Sequence, residues 1–386
     1  MKLWTGLILS GTLMLAGCQK QTSDVQDTTS SLKKDEAGTV APNLQSSQLT
    51  ELPLPPFPDY PAPKHALDIA DDGLIYFPIT SPYDFSRVLK GYDALEKHAG
   101  QGVLSFPKTV PAGTSVPAMV ILHGSGGIKE GREYEYARLF NENGIAAFVI
   151  DYYAPRGVTK DTPYVMKTMA TTEVDVISDA YSALKILGTH PLIDATRIGV
   201  TGYSYGGMGT RYVLDKRLKN IMAPDSPAFA LHMDIYGPCH QNTGAWETTG
   251  APYLAIYGDS DNSVEPDKCM KVQEKLKEGG SPVEAHLIAG AGHAWEMGEL
   301  KEFKGGYVRG CEFSWDRETG TFLVDGQAGF QPEPDMTRPQ RAAVRAGLGA
   351  LAGKCVGQGY TIGRNAQADK KSKAIQLEFM KRIFGL

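Results

Sequence analysis

Four short segments of this chain hold residues suited to nucleophilic chemistry. The first is Gly202-Tyr203-Ser204-Tyr205-Gly206, between an apolar run, Arg197 to Thr201, and a segment of helical spacing from about Gly206 to Lys216. A serine on a sharp strand-to-helix turn is exposed and sits at a helix N-terminus, which favours developing negative charge. Side chains larger than glycine two positions away would collide with neighbouring main chain. The second segment, Ala255-Ile256-Tyr257-Gly258-Asp259-Ser260-Asp261-Asn262-Ser263-Val264, puts two acids just past a strand. The third is Gly290-Ala291-Gly292-His293-Ala294-Trp295, again just past a strand. Of the eight histidines, only His293 follows the last core strand in a loop of small residues. The fourth is Leu122-His123-Gly124-Ser125-Gly126-Gly127, whose glycines let backbone N–H groups approach a substrate oxygen. Here His123 reads as structural. The chemistry these segments support is two-step acyl transfer. His293 takes the Ser204 proton, Ser204 attacks a carbonyl carbon, and Asp261 fixes the histidine tautomer. The N–H groups of Ser125 and Tyr205 hold the oxyanion.

The elements that must position these residues alternate along the chain. Asp72-Gly73 precedes an apolar run, Leu74 to Ile79, and Gly102 to Phe106 is a second; together they suggest an opening antiparallel pair. Val116 to Leu122, Ile145 to Ile150, Ala228 to Tyr236, Pro252 to Tyr257 and Val283 to Ile288 read as further strands. Tyr134 to Asn143, Thr172 to Leu187, Val264 to Lys277 and about Ala366 to Ile383 read as helices. Alternation of this kind predicts an α/β fold with a mostly parallel central sheet and helices on both faces. Continuously apolar strands fit burial on both sides. Residues 297 to about 360 break the rhythm and read as an insertion, with a hairpin at Glu312 to Val324 and a helix at 338–352. The insertion is either part of a lid or an edge decoration.

With these segments in hand, the chain resembles the dienelactone hydrolase family within the α/β hydrolases, over about residues 110–295 and the final helix. The order Ser, Asp, His is the α/β-hydrolase order. The enzyme that names the family uses a cysteine nucleophile, where this chain has Ser204. The family also carries an arginine in an Asp-x-Tyr-Ala-Arg run that holds the substrate carboxylate. Asp151-Tyr152-Tyr153-Ala154-Pro155-Arg156 resembles that run with one residue inserted. The resemblance thus implies Arg156 as a substrate-binding residue, against a structural salt bridge as the alternative. A second family arginine, four residues after the histidine, is replaced by Met297. Dienelactone itself is a doubtful substrate on that count.

The N-terminus carries an address. Lys2 precedes a short apolar run, Leu3 to Leu15, which ends in Leu15-Ala16-Gly17-Cys18. The run is short for a membrane span, and the pattern resembles a bacterial lipoprotein signal peptide. It implies residues 1–17 as the signal peptide, a lipidated Cys18 and a place in the cell envelope. Gln19 after the cysteine points to the outer membrane, facing the periplasm or the cell surface. Residues 18–60 are rich in Ser, Thr, Gln, Asp and Pro and read as a flexible tether. The hydrolase domain then spans 61–386. Cys239, Cys269, Cys311 and Cys355 remain, and four cysteines in an exported protein suggest two disulfides. Three connectivities are possible; pairing neighbours closes the shortest loops.

The formal charge of −5 with no Lys/Arg block does not suggest a nucleic-acid partner. No histidine pair has ligand spacing on a helix and no Cys-x-x-Cys occurs, so no metal or organic cofactor is called for. The favoured function is hydrolysis of a small-molecule carboxylic ester. A peptidase of the prolyl-oligopeptidase type shares the triad order, but residues 19–110 are too few for a propeller. A catalytically inert ligand-binding lipoprotein would not need every triad position filled.

Overall fold

Period-two alternation splits the strands Val116–Leu122 and Ala146–Asp151 between two apolar cores. A computed structural model describes residues 51–242, 247–330 and 332–386. The expected signal peptide, Cys18 and the tether up to residue 50 lie outside the described residues. In chain order the body begins with β1 (Gly73–Thr80), α1 (Phe85–Gly91), β2 (Lys97–Ser105), β3 (Val116–Leu122), α2 (Glu135–Glu142) and β4 (Ala146–Asp151). It continues with α3 (Tyr164–Ala170), α4 (Glu173–Leu187), β5 (Ile193–Tyr203), α5 (Tyr205–Tyr212), α6 (Lys216–Met222) and β6 (His232–Ile235). Then come β7 (Gln241–Asn242), β8 (Tyr253–Gly258), α7 (Pro266–Glu278) and β9 (Val283–Ile288). The eight-stranded sheet runs β1-β2-β4-β3-β5-β6-β8-β9. The β1/β2 and β2/β4 pairs are antiparallel and the rest parallel. This is the α/β-hydrolase architecture expected from the sequence.

Every residue of β3 is buried. Ala118, Val120 and Leu122 join the core under α4, with Val176, Ile177 and Ala180. Met119 and Ile121 join the opposite core, with Tyr136 and Phe140 of α2. Successive strand side chains point to opposite faces, so a strand covered on both sides must be apolar throughout. Helix α4 starts on a capping box: the Thr172 hydroxyl accepts from the Asp175 N–H, and the Asp175 carboxylate accepts from the Thr172 N–H. The helix expected from about Gly206 to Lys216 ends at Tyr212. Asp215 restarts the chain as α6 by accepting from the N–H groups of Arg217 and Leu218.

The rest of the chain is β10 (Lys301–Val308), β11 (Phe313–Trp315), β12 (Phe322–Val324), β13 (Gln327–Phe330), α8 (Arg338–Leu351), β14 (Val356–Ile362) and α9 (Ala366–Phe384). Within it β10 pairs with β14, and β13-β12-β11 extend to β7 of the main body. Cys311 and Cys355 form a disulfide, as do Cys239 and Cys269. Part of the expected tether is not free. Phe57 stacks on His98 at 3.8 Å between ring centroids, and the Leu52 N–H donates to the Pro339 carbonyl. Residues 51–60 therefore lie along the body, because apolar and aromatic side chains in this proline-rich stretch find partners there.

Candidate active site

The turn after β5 sets the geometry. Ser204 adopts φ 55° and ψ −112°, a region that costs a non-glycine residue roughly 1–3 kcal/mol. The strain persists because the surroundings leave no room for another path. A Cβ on Gly202 would overlap the Gly206 carbonyl, and a Cβ on Gly206 would overlap the carbonyls of Leu122 and His123. The two glycines therefore lock the turn to itself and to the end of β3. The Ser204 N–H donates to the Ile235 carbonyl at 2.9 Å, fixing the turn against β6 as well.

Ser204 Oγ lies 2.9 Å from Nε2 of His293. On the other side of the ring, Nδ1 lies 2.6 Å from Oδ2 of Asp261. Three loops at the C-terminal ends of β5, β8 and β9 thus bring one serine, one acid and one histidine into a hydrogen-bonded chain. Asp261 and His293 are buried, and Ser204 is part-exposed. The other acid is placed differently. Asp259 is exposed, and its carboxylate accepts from the Gly290 N–H at 2.7 Å, stapling the β8 loop to the loop that carries His293.

The loop after β3 is fixed from two sides. The Tyr152 hydroxyl donates to the His123 carbonyl, and the Tyr153 hydroxyl donates to the Ser125 carbonyl at 3.0 Å. The His123 ring stacks on Tyr152 at 3.6 Å and is wholly buried, which is a structural role. With Gly206 pressed against this loop, Ser125 and Tyr205 are on the two strands of chain that meet beside Ser204. An acid, a histidine and a serine in one hydrogen-bonded chain beside a glycine-rich loop are the arrangement that acyl transfer can use.

The model of the dienelactone hydrolase family matches residues 101–334, more than half of the chain. The chain belongs to the dienelactone hydrolase family. It is a hydrolase on that ground. Among solved structures, it is similar to a dienelactone hydrolase-like promiscuous phosphotriesterase from metagenomic libraries. That match has 13% identity and a TM-score of 0.48, and covers 81% of this chain and 99% of the other. It is also similar to a thermophilic esterase from the Planctomycetes species Thermogutta terrifontis, with 16% identity and a TM-score of 0.40, covering 51% of this chain and 79% of the other. A third match is an α/β hydrolase from a Medee basin deep-sea metagenome, with 19% identity and a TM-score of 0.40, covering 59% and 87%. No curated protein matches the hydrolase.

One expected site residue is corrected. Arg156 does not present its side chain to a substrate but is fully buried. Its guanidinium makes two bonds to Asp179, at 2.7 and 3.0 Å, and also donates to the Tyr152 and Thr80 carbonyls and the Ser81 hydroxyl. All its donors are used inside the protein. The extra residue, Pro155, lies in a tight turn, Ala154–Arg156, that leaves this side chain in the interior.

Three further groups brace the site and were not singled out by sequence reasoning. Ser263 donates its hydroxyl and its N–H to Oδ1 of Asp261, leaving Oδ2 for His293. Tyr236, at φ 44°, packs its ring against His293 at 4.8 Å. Its hydroxyl donates to Glu296 at 2.8 Å. Burial pushes the Glu296 carboxyl up to about 7, against the opposing pull of Arg132. The insertion also reaches the site: the His293 N–H donates to the Thr361 carbonyl at 2.7 Å, and the His293 carbonyl accepts from the Gly363 N–H at 2.9 Å. A histidine loop held by a strand seventy residues later leaves no local mark in the sequence.

Proposed function

We propose that this protein is a serine esterase, acting on neutral small-molecule carboxylic esters in the bacterial cell envelope, with Cys18 as its lipid anchor. The observation that carries the catalytic reading is the unbroken Asp261–His293–Ser204 chain, at 2.6 and 2.9 Å, ending on a serine at positive φ. His293 Nε2 takes the Ser204 proton as Oγ bonds to the ester carbon. The carbonyl oxygen becomes an oxyanion, held by the N–H groups of Ser125 and Tyr205. His293 returns the proton to the leaving alcohol as the C–O bond breaks. Water then adds to the acyl-enzyme by the same route, giving the free acid and restoring Ser204. Asp261 keeps the Nδ1–H pointing away from the serine. The inward-turned Arg156 and the uncharged Met297 remove both of the family's carboxylate-holding cations, which favours neutral esters over dienelactone.

The test is a fluorophosphonate probe with mass spectrometry, alongside turnover of a panel of esters and peptide anilides. The adduct is expected on Ser204, with Ser204→Ala losing several decades of ester turnover. An adduct elsewhere with full activity in that variant overturns the mechanism. Faster anilide than ester turnover overturns the substrate class.

A further inference from the structure

The insertion adds an aromatic face to the site that the hydrolase body does not contain. Phe303 of β10 and Tyr360 of β14 are cross-strand partners, so they share one face of the pair. Their ring centroids are 4.9 Å apart, and Tyr307 meets Tyr360 edge-on at 5.3 Å. All three rings are half-buried rather than packed away. The face is joined to the reaction centre, since Tyr360 also meets the His293 ring edge-on at 5.5 Å. Burial pushes the Tyr360 phenol up, and the nearby Tyr164, Asp261 and Tyr307 add to this. Tyr164 links this face to the loop after β3, where its hydroxyl pairs with Ser125 Oγ at 2.8 Å.

Position along the reaction assigns this face to one half of the substrate. The leaving oxygen must come within hydrogen-bond reach of Nε2 of His293 to receive its proton. Tyr360 meets that histidine ring, so a group carried by the leaving oxygen has this face within reach. The acyl group and the oxyanion lie towards the Ser125 loop. We propose that Phe303, Tyr307 and Tyr360 form the leaving-group subsite and select esters whose alcohol carries an aromatic ring. This rests on the esterase reading above. Tilted and edge-on ring pairs leave faces and edges that another aromatic ring complements better than a saturated one. A sugar ring would need several polar partners, whereas these three side chains offer two phenol hydroxyls, one of which already accepts from Arg309 at 3.1 Å.

The experiment uses the full chain and three acetates: benzyl acetate, cyclohexylmethyl acetate and an acetylated methyl pyranoside. The first two share the acyl group, similar leaving-group basicity and similar size, and differ in aromaticity. The expected kcat/KM ratio of benzyl to cyclohexylmethyl ester is about three- to tenfold, the range of an added aromatic pair. That ratio should fall towards one in Phe303→Leu and in Tyr360→Leu, whatever happens to the absolute rates. A wild-type ratio near one, a ratio unmoved in both variants, or faster turnover of the pyranoside overturns the subsite while leaving the esterase reading intact. Absence of Ser204-dependent turnover of every ester, with no fluorophosphonate adduct on Ser204, overturns the esterase reading and the subsite with it.

Discussion

At the residue scale, two aspartates two residues apart in the loop after β8 have separate tasks. Asp261 faces Nδ1 of His293, and Asp259 holds the Gly290 N–H. Asp261→Asn is therefore expected to lose several decades of turnover through the wrong histidine tautomer while remaining folded. Asp259→Asn should lower the melting temperature and leave most of the chemistry. Turnover and melting curves of the two variants check this, and an inactive, folded Asp259→Asn would reverse the assignment. Arg156 gives a prediction of a different kind. Breaking a buried, doubly hydrogen-bonded ion pair leaves Asp179 uncompensated, so Arg156→Met should destabilise by roughly 3–5 kcal/mol in urea unfolding. A KM effect without loss of stability would return Arg156 to the substrate. Glu296 sets a pH dependence. Its folded pKa of about 7 lies above the ordinary value of 4.5, so its contribution to stability is full below about 4.5 and is lost as pH rises through 7. The loss is on the order of 3 kcal/mol. Glu296→Gln should flatten the fall in unfolding free energy between about pH 4.5 and 7, and parallel slopes in the two proteins would contradict it.

At the element scale, the elbow works because glycine permits main chain to touch main chain. Gly206 sits on the carbonyls of Leu122 and His123, so Gly206→Ala must separate α5 from the β3 loop. Turnover should collapse along with a lower melting temperature, and an active, equally stable variant would show that the two loops need not touch. The disulfides divide their labour by the elements they join. Cys239–Cys269 ties the loop after β6 to α7, whereas Cys311–Cys355 closes a 44-residue stretch of the insertion just before β14. Replacing both Cys311 and Cys355 by serine should cost about 2–4 kcal/mol and also reduce the preference for aromatic alcohols, because β14 carries Tyr360. The corresponding change at Cys239 and Cys269 should lower stability alone. Kinetics on the benzyl and cyclohexylmethyl pair, beside melting curves, separates the two.

At the scale of the whole molecule, a proline-rich stretch from residue 51 lies along the body and leads back towards the cysteine at position 18. If Cys18 carries lipid, the full-length protein should fractionate with membranes and Cys18→Ala should not; a membrane-bound, lipid-labelled Cys18→Ala protein would remove the anchor. Much of the fold was legible in the order of amino acids. The apolar runs of β3, β4 and β8, the helical spacing of α4 and the glycines around Ser204 are local patterns, each set by sterics and period over a few residues. Three loops with Ser204, Asp261 and His293, after β5, β8 and β9, could be read for the same reason, since a parallel sheet gathers its strand ends along one edge. What only the tertiary structure decided are contacts between distant segments. The pattern around Arg156 matched a substrate-binding run, yet one inserted proline and the buried carboxylate of Asp179 drew the side chain inward. Glu296 has no local pattern to mark it, and only the fold surrounds it with Tyr236, Tyr136 and Arg132. Tyr360 belonged to a segment of unassigned purpose until β14 bonded to the backbone of His293. Each of these depends on which surfaces are left to pack once the sheet has formed, and that is a sum over the whole chain with no counterpart in local spacing.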